Sequence, residues 1–139
     1  MILFDTNVII DVLYEKEAHH DWAIQQVASA VLEEGAVVST VTVAELCAGD
    51  RYPEQVESDL HKWGLKITDI SAASAIICGK AYRRYLTARR VSGGSPAPKM
   101  PLPDFFIGAQ AEIMGWKIAT RDQERFKRYF PKVPLLTPD

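Results

Sequence analysis

At 139 residues the chain has the length of one domain, enough to enclose a single hydrophobic core. With 47% hydrophobic and 24% charged residues it excludes disordered and fibrous classes, and no apolar run approaches the roughly 20 residues of a membrane helix. The net charge of −2 conceals an asymmetry: residues 1–69 hold thirteen acids and four bases, residues 70–139 five acids and twelve bases. Ile70 to Pro103 contains no acid and six bases, namely Lys80, Arg83, Arg84, Arg89, Arg90 and Lys99. That split suits either a polyanion-binding surface or a plain solvated helix face. Met1-Ile2-Leu3-Phe4-Asp5 lacks the basic opening of a signal peptide, so a cytoplasmic protein is expected. Cys47 and Cys78 lie among apolar neighbours and read as two buried thiols, without zinc-ligand spacing.

In chain order, Ile2–Phe4 is a short apolar run ending at Asp5-Thr6-Asn7, residues that favour helix starts. Val8, Ile9, Val12 and Leu13 recur at helical spacing, and Trp22 to Leu32 forms a second amphipathic helix before Gly35. Ala36–Ser39 reads as a buried strand, followed by Thr42 and Glu45 in capping-box spacing. Pro53 opens a helix from about Glu54 to Trp63, Leu65–Ile67 is a short strand, and Ser71–Arg90 a long helix. The stretch 92–99, with Gly93-Gly94-Ser95-Pro96, reads as a flexible loop. A helix from about Asp104 to Met114 stops at Gly115; Lys117–Ala119 is a strand, Asp122–Tyr129 a helix and Val133–Leu136 a last strand. Strands alternating with helices predict one α/β domain over 1–139, with a parallel sheet covered on both faces.

Ligands of such sheets gather beyond the carboxyl ends of the strands. Asp5 and Asp122 lie at or just past two strand ends, Glu45 on the first turns of the helix after a third, and Asp104 at the start of a helix. Each has a plain alternative: Asp5 and Asp104 as helix caps, Asp122 as a helix-dipole partner, Glu45 as the return arm of the capping box. Their apolar surroundings favour a shared pocket. Asp5 interrupts Ile2-Leu3-Phe4 and Val8-Ile9-Ile10, and Asp104 precedes Phe105-Phe106-Ile107, where an uncompensated charge is costly. Converging carboxylates raise one another's pKa unless a cation neutralises them. Oxygen-only ligands select Mg²⁺ or Mn²⁺, and such an ion can activate water against a phosphodiester and stabilise the departing oxygen.

These motifs carry a family resemblance. Ile2-Leu3-Phe4-Asp5-Thr6-Asn7 resembles the opening of a PIN domain. Thr42-Val43-Ala44-Glu45-Leu46 with Gly49 resembles its second acidic motif, Leu102-Pro103-Asp104 with Ile107 and Ala109 the third, and Ala119-Thr120-Arg121-Asp122 with Phe126 the fourth. More narrowly, the chain is similar to the VapC toxins of bacterial type II toxin–antitoxin systems, including the FitB-like subgroup. The resemblance implies a three-layer α/β/α sandwich around a five-stranded parallel sheet, and a Mg²⁺- or Mn²⁺-dependent endoribonuclease. It places Asp5, Glu45, Asp104 and Asp122 around the metal as catalytic ligands, with Thr6 and Thr120 supporting them through hydrogen bonds. It further implies a homodimer, a cognate antitoxin whose arm covers the cleft, and a structured RNA substrate of the tRNA or rRNA class. Arg83, Arg84, Arg89, Arg90 and Lys99 are the expected RNA-backbone ligands, with Arg121 a weaker one.

The alternative within the fold is a non-catalytic PIN-type module that binds RNA or protein. Two other readings lack a mechanistic partner: a haloacid-dehalogenase phosphotransferase needs an Asp where Asn7 stands, and a receiver domain needs an acid pair and a lysine that are not evident. His19, His20 and His61 read as surface histidines. Trp22, Trp63 and Trp116 read as core or dimer-interface anchors, and Tyr82 and Tyr85 as packing residues.

Overall fold

The computed structural model describes residues 1–50, 52–94 and 96–139; Ser95, within the expected flexible loop, lies outside them. Five parallel strands form one sheet in the order β3-β2-β1-β4-β5: β1 (Ile2–Phe4), β2 (Ala36–Ser39), β3 (Leu65–Thr68), β4 (Lys117–Ala119) and β5 (Leu135–Leu136). In register, Leu3 faces Val37 on one side and Ile118 on the other. The expected α/β/α arrangement is therefore present. The last strand is shorter than the 133–136 run predicted, with Val133 instead buried in the core beside it.

Side-chain alternation sorts the strands into two cores. Ile2, Phe4, Ala36, Val38, Leu65 and Ala119 pack with Val8, Ile9, Ala23, Val27, Leu46 and Leu60 on one face. That face is covered by α1 (Thr6–Leu13), α2 (His20–Glu33), α3 (Thr40–Gly49) and α4 (Val56–Lys62), the last preceded by a 3₁₀ turn over Pro53–Gln55. Leu3, Val37 and Ile118 point the other way, into Cys78, Ala81, Tyr82, Phe105, Ile107, Phe126, Tyr129 and Phe130. Those residues come from α5 (Ala72–Val91), α6 (Pro103–Met114), α7 (Glu124–Tyr129) and the residue after it. Strands buried on both faces explain why they read as continuous apolar runs. Among the described residues no helix is long and apolar enough to cross a membrane.

Local chemistry sets the helix boundaries. Pro103 occupies the first turn of α6, and Gly115 ends that helix with φ +70°, a left-handed cap that suits glycine. Ser71 caps α5 by accepting the Ser74 N–H at 3.1 Å. α3 departs from the sequence reading, because its cap is Ser39, whose Oγ accepts from the Val41 N–H at 3.1 Å. Thr42 is instead a fully buried residue inside α3, so the capping-box reading of Thr42 and Glu45 is corrected. A β-strand residue that is itself a capping serine starts the helix three residues earlier than the Thr-Glu spacing suggested. α7 also begins at Glu124 rather than at Asp122. Cys78 is buried and Cys47 half-buried, both as free thiols.

Gly108 in α6 lies directly against Phe130 in the second core. A Cβ there would drive into the Phe130 ring, at its Cδ2, Cε2 and Cγ atoms. Phe130 is fully buried and has no room to withdraw. Gly108→Ala is therefore expected to lower stability by about 1–3 kcal/mol through overpacking, read as a fall in the urea midpoint with an unchanged slope.

Candidate active site

The sheet order makes β1 central, with β2 and β3 on one side and β4 and β5 on the other. The edge beyond β1 and β4 is thus the switch point at which open α/β sheets form clefts. Asp5 sits there, 8% exposed and extended (φ −65°, ψ 153°), as the cap of α1. Its N–H donates to the Ala119 carbonyl at 3.0 Å, tying it to β4. Its Oδ1 accepts the Thr6 N–H and its Oδ2 the Thr120 hydroxyl, each at 2.8 Å.

Both threonines link segments far apart in sequence. The Thr6 hydroxyl donates to Glu45 Oε1 at 2.7 Å and lies 2.9 Å from the hydroxyl of Thr42. Thr120 accepts the Asp122 N–H at 3.0 Å. Asn7 bridges the same two segments, its Nδ2 reaching Thr120 Oγ1 at 3.5 Å and its Oδ1 accepting the Arg121 N–H at 3.3 Å. The fully buried Asp11 completes the seam through a 2.5 Å ion pair with Arg121 Nε. Three segments, the start of α1, α3 and the stretch after β4, therefore meet over the end of β1.

The electrostatics follow from this crowding. Burial is the largest influence on the Asp5 carboxyl, which is pushed from its ordinary 3.8 up to about 6. The Thr120 hydroxyl pulls it down, the negative charge of Asp104 pushes it up, the Thr6 N–H pulls down and Glu45 pushes up. Asp5, Asp104 and Glu45 thus share one electrostatic neighbourhood, while Asp122 reaches it through its backbone and keeps an exposed side chain. Among the described residues, no three Asp, Glu, His or Cys side chains are gathered as a finished metal cage. Two of the acids are already engaged by other side chains. Asp104 Oδ2 pairs with Arg125 Nη1 at 2.9 Å, and Glu45 is drawn to Thr6. The donors are all oxygens, a set suited to a hard divalent cation rather than zinc. A carboxyl lifted first by burial and further by the charges of Asp104 and Glu45 marks a site short of positive charge, so the residues fit such an ion.

The other residues singled out from sequence take varied places. Arg121 is committed to Asp11 and is not a free basic residue. Arg84 donates to the Tyr129 carbonyl at 3.2 Å, and Arg89 to the Tyr85 hydroxyl at 2.6 Å. Arg83, Arg89, Arg90 and Lys99 line one groove of about 720 Å³, floored by Leu86, Pro96 and Ala97. His20 is half-buried, its Nδ1 2.7 Å from the Asp11 carbonyl oxygen, and His19 is half-buried beside it. Trp116 is a core residue, and Trp22 and Trp63 are partly buried against the first core. Asp11 and Arg125 were not singled out from sequence, and Asn7 and Thr42 were noted there without a hydrogen-bonding place in this site. Asp11 left one signal, an acid amid the apolar helical positions of α1, whereas Arg125 looked like any cation of a polar helix.

With this geometry in view, known proteins give a consistent answer. The sequence matches the PIN domain family over residues 2–130, and the chain belongs to that family. No curated protein matches the sequence. Among solved structures, the chain resembles VapBC2 from Rickettsia felis bound to a DNA fragment from their promoter, with a TM-score of 0.72, 22% identity and 100% of each chain covered. It also resembles FitAcB from Neisseria gonorrhoeae, with a TM-score of 0.67 and 26% identity over 99% of this chain and 98% of that one. A third is VapC20 from Mycobacterium tuberculosis, a sarcin-ricin loop cleaving toxin, with a TM-score of 0.66 and 14% identity over 96% and 98%.

The raised carboxyl gives a measurable pH signature in metal-free protein. A folded-state pKa above the unfolded value favours the protonated fold, so this contribution is complete below about pH 3.8 and lost as pH rises through about 6. Ionised and buried, Asp5 then costs up to about 3 kcal/mol. In EDTA, Asp5→Asn is expected to melt several degrees above the unsubstituted protein at pH 8, with that advantage vanishing near pH 4. An unsubstituted protein that melts higher at both pH values would contradict the electrostatic account.

Proposed function

We propose that this chain is a Mg²⁺- or Mn²⁺-dependent endoribonuclease of the VapC type, the toxin of a toxin–antitoxin pair. The observation that carries the reading is the buried Asp5, held between Thr6 and Thr120 and loaded by the charges of Asp104 and Glu45 at the sheet's switch point. Membership of the PIN family and the likeness to VapC20, named as a sarcin-ricin loop cleaving toxin, support it.

Asp5, Glu45 and Asp104 would hold the cation, with Asp122 at the margin. When bound, the ion would supply water activation and charge stabilisation at the scissile phosphate. Thr120 and Thr6 hold the carboxylates of Asp5 and Glu45 in fixed orientations, so little reorganisation is left for the reaction. Asp5, only 8% exposed, is largely shielded from bulk water, which strengthens its interactions. Arg83, Arg89, Arg90 and Lys99, grouped in one groove with Arg84 beside it, would carry the phosphate backbone of a structured RNA. The neighbours named as VapBC and FitA–FitB complexes support a cognate antitoxin as the regulating partner. A homodimer, located in the cytoplasm, belongs to the same reading.

The second reading, a PIN-fold module that binds RNA or protein without cleaving, draws on the Arg125–Asp104 pair, which occupies one of the acids. One assay separates the two. Purified protein with total cellular RNA and Mg²⁺ or Mn²⁺ is expected to produce discrete fragments, and EDTA to stop the reaction. Asp104→Asn and Glu45→Gln should each slow cleavage by more than about 100-fold, beyond the roughly 10- to 100-fold typical of a lost supporting partner. Cleavage that persists in both variants would place the chemistry elsewhere, and metal binding with no RNA cleaved would favour the binding module.

A further inference from the structure

We infer that Arg125 is the substrate-phosphate ligand of the acidic site, parked on Asp104 until the site is loaded. This rests on the nuclease reading above. Arg125 stands in the first turn of α7, three residues past Asp122, with Nη1 2.9 Å from Asp104 Oδ2. Its guanidinium carbon lies 5.3 Å from the centroid of the Tyr85 ring and 5.8 Å from that of Phe105. Two aromatic faces therefore hold the planar group in place, while a third of the side chain remains exposed. A pinned guanidinium loses little conformational entropy when it binds an anion.

The position joins two features otherwise described separately. Tyr85 also receives Arg89, whose Nη1 donates to its hydroxyl at 2.6 Å and whose guanidinium carbon lies 5.8 Å from the ring centroid. Arg89 in turn lines the groove with Arg83, Arg90 and Lys99. Cations thus run from the groove, across one tyrosine ring, to the carboxylate of Asp104. An RNA strand lying in the groove would meet Arg125 as it arrives at the acids.

The chemistry of the pair supports an exchange of partners. Carboxylate and phosphate oxygens present nearly the same geometry to the fork of an arginine. An ion pair this exposed contributes little to stability on its own, so a divalent cation that draws Asp104 away would free Arg125 at small cost. Its guanidinium would then face a phosphodiester oxygen from the border of the site. Lysine, a point charge without a planar fork, would replace it only in part.

Two readouts with opposite signs test this: Mn²⁺ affinity by calorimetry and RNA cleavage under subsaturating RNA. Arg125→Gln is expected to bind Mn²⁺ severalfold tighter, because Asp104 loses its competitor. The same variant should cleave on the order of 10- to 100-fold more slowly, through loss of a charge-assisted phosphate contact. Arg125→Lys should recover part of the cleavage, and Arg128→Gln, one helix turn away on the Tyr129 ring, should change neither quantity. Cleavage by Arg125→Gln at the unsubstituted rate would overturn the inference while leaving the nuclease reading intact. So would a fall in Mn²⁺ affinity in step with cleavage, the mark of a merely structural residue. If the unsubstituted protein cleaves no RNA, the nuclease reading fails and this inference with it.

Discussion

The structure depends on a carboxylate held where the sheet has almost no water. Asp5 follows the central strand, tied to Ala119 of β4, and the fold tolerates it because two hydrogen-bond donors are built to meet it. One is local, the Thr6 N–H at the start of α1. The other, the Thr120 hydroxyl, comes from the end of the adjacent strand β4, 115 residues along the chain. A buried charge left without these partners would cost several kcal/mol. The two donors therefore fix the spacing between the first strand's end and the β4–α7 segment, and with it the positions of Asp122 and Arg125.

The same logic explains the pairing of the buried Asp11 with the exposed Arg121. One carboxylate oxygen of Asp11 meets Arg121, while the other has no hydrogen-bond partner. An incompletely satisfied buried acid is an unlikely choice for stability alone, since an apolar pair of similar size often serves as well. Its structural effect is directional: together with the Asn7 side chain it locks α1 onto the segment that carries Thr120. Stability is exchanged here for a defined geometry at the site.

The charge asymmetry between the two halves of the chain acquires a meaning in three dimensions. Asp5 and Glu45 come from the acidic half, and Arg83, Arg89, Arg90 and Arg125 from the basic half. The crossover from the β3 side of the sheet to the β4 side brings them to adjoining surfaces, with Tyr85 and Phe105 between them as a common floor for the arginines. Acids are thus gathered at one point and four bases, Arg83, Arg89, Arg90 and Lys99, along one groove, the pattern expected of the proposed pairing of a cation with a polyanion.

From the sequence alone came the strand–helix alternation, the parallel sheet and the candidate acids Asp5, Glu45, Asp104 and Asp122, of which packing brings the first three into one electrostatic neighbourhood, because apolar periodicity and acids embedded in apolar runs are local signals. Helix starts were less legible: Ser39 outcompeted Thr42 as the cap of α3, since a cap needs a free backbone N–H ahead of it and Thr42 lies inside the helix. The partners of each charge were decided only by tertiary structure. Nothing near Arg121 in the chain indicates Asp11, 110 residues away, and nothing near Arg125 indicates Asp104 or the ring of Tyr85. Residue type and spacing say which groups can bond, but which of them do is set by packing across the sheet, where segments without local relation are forced into contact.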